Sequence, residues 1–160
     1  MSYSSQRALV SVVAGLVLTV VYTIWASGKG LVTSSDWRAV AIAMLVFIGV
    51  SVVGLIVVMI VFHILVAVRA AARPGADEHE AKRVVASSMV EDERERLIGL
   101  KAGRATVTCA GVGFVVLLVL LACGVAPGLA LHVLLWACAA GGVAEGCLTV
   151  WFAERGVDHA

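Results

Sequence analysis

The chain has 160 residues, of which 61% are hydrophobic and 14% charged, and its formal net charge is +1. An ordinary soluble domain carries about 25% charged residues. One domain of this length has no interior able to hide so much apolar surface, and the mean hydropathy of +1.03 says the same. These figures exclude a soluble monomer and a disordered chain, and they supply no basic excess to draw nucleic acid.

About 20 apolar residues carry a helix across the hydrocarbon core, and four stretches reach that length. The first, 8–26, has no charge. Its apolar run exceeds the ~7–15 residues of a cleaved leader, so it reads as an anchor, although Ala26-Ser27-Gly28 has the small residues of a cleavage site. The second, 39–68, is interrupted only by His63. Thirty residues make a rod of about 45 Å against about 30 Å of hydrocarbon. The helix must therefore tilt or project, and the stretch around His63 and Arg69 is where projection is expected.

The segment 69–104 is the long polar connector. Arg73-Pro74-Gly75 breaks the second span. Asp77 with Glu80, and Ser88 with Glu91, have capping-box spacing. They predict a short helix over 77–86 and a second one starting near Met89 that runs without a breaker into the third span, 105–126. Acidic residues at its start suit the helix dipole, and Asp92 and Arg96 stand four apart in the favourable order. Lys101 and Arg104 fall at lipid-headgroup level. The plain reading of this stretch is a solvated stalk with snorkelling cations. The sharper one is a docking surface of Glu93, Arg94, Arg96, Lys101 and Arg104 for a protein partner or anionic lipid.

The string from Glu91 to Arg104, Glu-Asp-Glu-Arg-Glu-Arg-Leu-Ile-Gly-Leu-Lys-Ala-Gly-Arg, leads straight into an apolar span. It resembles the hallmark of a family of small prokaryotic predicted membrane proteins, four-span chains of unknown function with an Asp-Glu-Arg motif before the third span. The likeness covers about 15 residues and the span layout. It implies a fold and assigns no chemistry, so no site residue is carried over from it.

The fourth span, 129–153, follows a tight turn at Pro127 and Gly128. Sidedness follows the Lys and Arg distribution. The connector carries eight: Arg69, Arg73, Lys82, Arg83, Arg94, Arg96, Lys101 and Arg104. The 27–38 segment carries Lys29 and Arg38, the last turn none, and the tails Arg7 and Arg155. The expectation is an all-α integral membrane four-helix bundle of two helical hairpins, one domain over 1–160. It would lie in the plasma (inner) membrane with both termini and the helical loop cytoplasmic. Trp25, Trp37 and Trp151 fall at span edges, as interfacial anchors do.

An ionisable residue inside a membrane is a functional candidate by default. Glu145 lies roughly 10 Å inside the inner end of the fourth span, among Gly141, Gly142 and Gly146. Gly142 and Gly146 form a small-xxx-small step that lets another helix approach. His63 sits at similar depth, and a Glu145–His63 pair is the expected contact. Glu145 reads first as a neutral hydrogen-bonding lock of the bundle, then as a proton or ion handler, then as a site facing a partner chain. His63 and His132 lie at opposite ends, which argues against haem within one chain, and no zinc spacing appears. Cys109, Cys123, Cys138 and Cys147 form no Cys-x-x-Cys and read as packing residues. Ser51, Thr106 and Thr108 read as interhelical glue rather than nucleophiles.

No nucleophile–base pair, phosphate loop, cofactor box or metal set emerges. The sequence therefore points to a non-enzymatic accessory or interaction subunit, partnered by the bilayer and by a homo-oligomer or another membrane protein. A small transporter or channel subunit using Glu145 is the alternative, and a membrane enzyme built on Glu145 and His63 is the least supported.

Overall fold

The computed structural model describes residues 3–71 and 93–155. They form four helices: α1 (Tyr3–Gly28), α2 (Trp37–Ala71), α3 (Glu93–Ala122) and α4 (Pro127–Arg155). All four are long and apolar enough to cross a membrane, where helices satisfy every backbone group within the segment. The described chain is thus all-helical and has the make-up of a multi-pass membrane protein. The helix expected over 77–86 lies outside the described residues. The stalk and the third span are one rod, since α3 runs from Glu93 through Arg104 into the apolar stretch. It stops at Ala122, short of the expected 126. The over-length second span is a single helix of 35 residues, about 52 Å at 1.5 Å per residue.

The turns are set by local chemistry. Gly30 and Gly124 have φ of 68° and 76°, the left-handed region that a side chain disfavours. Each closes the same C-terminal motif. Leu31 N–H donates to Ala26 C=O and Gly30 N–H to Ser27 C=O, while Val125 donates to Leu120 and Gly124 to Leu121. Asp36 caps α2, its Oδ1 accepting from the N–H groups of Arg38 (3.1 Å) and Ala39 (3.2 Å). Pro127 opens α4, where its missing N–H costs nothing. Gly128 then locks the two turns together. Its N–H donates to Ser34 C=O at 3.0 Å, and a Cβ there would run into the carbonyl oxygens of Leu31, Val32 and Ser34.

The helices do not share one core equally. α4 is the axis, with its most extensive contact against α3 and the next against α1; α2 leans on α1 and touches α4 little. The row is therefore α3–α4–α1–α2, and the two hairpins of the expected bundle are unequal. Small residues explain the close pairs, because backbone contact replaces a hydrophobic drive inside lipid. Gly113 lies against Ala137 and Leu134, Gly141 against Thr106 and Cys109, and Gly146 against Val12. In α2, Val40 is the one buried residue between 37 and 68. Beyond it α2 touches α1 at Phe47 and Gly54, and its other faces are largely exposed.

Candidate functional site

Glu145 lies within the candidate span α4, and α3 supplies its partner. Thr106 Oγ1–H donates to Glu145 Oε2 at 2.5 Å, across the α3–α4 interface. Gly103, one turn before Thr106, lies beside Oε1, and a Cβ there would make an ordinary contact at 3.9 Å. Gly141, one turn before Glu145, brings the backbones so close that a Cβ would lie 2.9 Å from Thr106 Cα. Thr149 Oγ1–H donates to the Glu145 carbonyl at 2.8 Å within α4. Glu145 itself is half-buried. Its geometry can hold α3 against α4.

The expected Glu145–His63 pair gives way to this Thr106 bond. His63 is an exposed residue of α2, the helix that touches α4 least. Its Nδ1 lies 2.7 Å from the Met59 carbonyl of its own helix. A carbonyl only accepts, so Nδ1 carries the proton. The glycine step is also displaced by one residue. Gly146 packs against Val12 of α1, but Gly142 is exposed with nothing within 4 Å of a Cβ, and Gly141 is the glycine that meets α3.

Of the stalk residues, Glu93 and Arg94 lie in the first turn of α3. Arg96, Lys101 and Arg104 are exposed along it. Ile98 and Ala102 are buried on the same helix, so α3 keeps its apolar contacts on one side and its cations on the other. All four cysteines are free thiols, with Cys109 half-buried against Gly141 and the other three exposed. Trp151, at the far end of α4, lies beneath the Arg155 guanidinium, 3.8 Å from its ring centroid, a cation–π contact at a helix C-terminus.

A second polar cluster, at the turn end, was hidden in the sequence. His132 is 0% exposed and Tyr22 5%. Their rings stack with centroids 5.7 Å apart and planes 11° from parallel. Phe47 of α2 also stacks on Tyr22, at 4.3 Å. Trp136 Nε1–H donates to Thr23 Oγ1 at 3.1 Å, tying α4 to α1. His132 Nδ1–H donates to Gly128 C=O at 2.7 Å, which leaves Nε2 as an acceptor. That Nε2, the Tyr22 hydroxyl and Ser51 Oγ are buried without a hydrogen-bond partner. A lone aromatic or histidine in an apolar run gives no sign of such a partner. Their spacing from the turns, with Tyr22 ahead of Gly30 and His132 just after Gly128, was the available signal.

Among the described residues no group of three or more His, Cys, Asp or Glu side chains could hold a metal ion. The chain matches no protein-family model, no curated protein and no solved structure. Function therefore rests on the geometry alone.

Proposed function

We propose that the chain is a non-enzymatic, multi-pass accessory subunit of the cell membrane, with both termini and the loop 69–104 on the cytoplasmic side. In this reading α1, α4 and α3 form a fixed unit. The unit holds α2 and the charged stalk out toward a partner. The Thr106–Glu145 hydrogen bond carries the proposal, because it spends the membrane-embedded carboxyl on closing the α3–α4 hairpin. The peripheral position of α2, nearly bare to its surroundings, supports a helix available to another membrane protein or a second copy. The Arg and Lys excess of the loop supports the sidedness.

The test is recovery of a complex from membranes in mild detergent, followed by charge reversal at Glu93, Arg94 and Arg96. Loss of the complex with the fold intact supports the accessory role. The half-burial of Glu145 favours a second reading, a small transporter or channel subunit that uses this carboxyl. Glu145→Gln keeps an acceptor for Thr106. If it leaves stability and assembly unchanged but abolishes a pH-dependent flux in liposomes, the transport reading replaces the accessory one.

A further inference from the structure

Among the described residues, a groove of about 820 Å³ runs between α1 and α2. Lys29 stands at its mouth, at the turn end. Tyr22 and Phe47, stacked at 4.3 Å, give it a flat aromatic wall. Leu18 and Val50 mark its deep end. From Gly28, the last residue of α1, to Leu18 is ten residues, about 15 Å of rise. Half of a hydrocarbon core is about 15 Å, so the groove is as long as one leaflet is deep.

Charge decides which lipid suits it. Between residues 29 and 38 the turn end carries Lys29, Asp36 and Arg38. The Asp36 carboxylate is committed to the first N–H groups of α2. With Arg38 the turn end keeps two cations against this one carboxylate, and Lys29 is the cation that lines the groove. A phosphate diester satisfies it, whereas a choline or ethanolamine headgroup brings its own cation to the same place.

We propose that this groove holds one bilayer phospholipid with an anionic headgroup. Its phosphate rests on Lys29, and one acyl chain runs past Phe47 to the Leu18–Val50 end. The site does not depend on the accessory role, on Glu145 or on which face of the membrane the turns occupy. A basic residue near a membrane surface contributes enough for a preference of about five-fold.

The test uses the full chain in mild detergent, offered equimolar phosphatidylglycerol and phosphatidylcholine, with native mass spectrometry counting retained lipids. The expected result is one retained phosphatidylglycerol, about five-fold over phosphatidylcholine by the same charge effect. Lys29→Gln should level the two. Ala43→Trp, which fills the groove from the α2 side, should remove both while far-UV circular dichroism stays helical. If Ala43→Trp does not fold, the Lys29→Gln ratio decides alone. Equal retention of both lipids by the wild type overturns the proposal. So does a preference that survives Lys29→Gln, which would place the lipid on the Lys101–Arg104 cations. A dimeric mass that carries no lipid would seat a second copy in the groove, and overturns it as well.

Discussion

Adjacent glycines in α4 should respond in opposite directions to the same methyl group. At Gly142 a Cβ meets nothing within 4 Å. Alanine there keeps only its helix advantage, about 0.8–1.0 kcal/mol over glycine. At Gly141 the new Cβ would lie 2.9 Å from Thr106 Cα and 3.0 Å from Cys109 Cβ, well inside the roughly 3.5–4.0 Å of good carbon contact. One of those atoms is backbone, so a rotamer change cannot relieve it. The helices must part, at an overpacking cost of about 1–3 kcal/mol. Parting them also stretches the Thr106–Glu145 bond one turn along, and interhelical bonds in membranes average about 0.6 kcal/mol, reaching about 1.7. Gly141→Ala should therefore fall below Gly142→Ala by about 2–4 kcal/mol, the steric and hydrogen-bond terms together. Reversible unfolding of the monomer in mixed detergent micelles, followed by near-UV circular dichroism of the tryptophans, measures the difference. If Gly141→Ala is as stable as Gly142→Ala, the close α3–α4 approach is wrong and Glu145 loses its partner.

Removing the hydroxyl in Thr106→Val should cost about 0.6–1.7 kcal/mol in the same unfolding assay, and pairing it with Glu145→Leu, which removes the acceptor, in a double-mutant cycle should show coupling between the two sites. Tyr22→Phe deletes a buried hydroxyl that has no partner, so stability should hold or rise, by up to about 1–3 kcal/mol; a clear loss would mean the hydroxyl is bonded. His132→Ala should cost about 2–4 kcal/mol by opening a void beside Tyr22, whereas His132→Phe, which keeps the stack, should lose much less. Gly128→Ala should be among the most damaging single changes, at the upper end of about 1–3 kcal/mol or beyond, because its methyl meets three carbonyl oxygens of the neighbouring turn. A fully folded Gly128→Ala monomer would show that the turn end is looser than described.

The elements themselves were legible because each span is a long apolar run, and lipid leaves the backbone few alternatives to the helix. The continuity of the stalk into α3 also followed from the absence of a breaker between Met89 and the third span. Glu145 stood out by its charge. Its partner did not, since threonine bonds as readily to its own helix, as Thr19 and Thr23 do here. Matching His63 to Glu145 by depth ignores which helices are neighbours, and apolar periodicity cannot rank neighbours when lipid and protein are equally greasy. The same blindness moved the packing glycine from Gly142 to Gly141. Helix phase is set by which backbone comes close, and a spacing rule fixes only the separation. The Tyr22–His132 stack was unreadable for a related reason, being a contact between residues far apart in the chain.

α2 is held against α1 from Val40 and the Tyr22–Phe47 stack as far as Gly54, which faces Leu18, and after Val40 none of its residues through Val68 is buried. The rest of the rod is a lever. From Gly54 to Val68 it is about 21 Å long, so a rotation of about 10° around Gly54 sweeps Val68 through about 4 Å. Small changes in bilayer thickness or in the seating of the turns are thereby magnified where the chain leaves α2, so distances measured from Val68 to α4 should register them before any movement is visible near Val40.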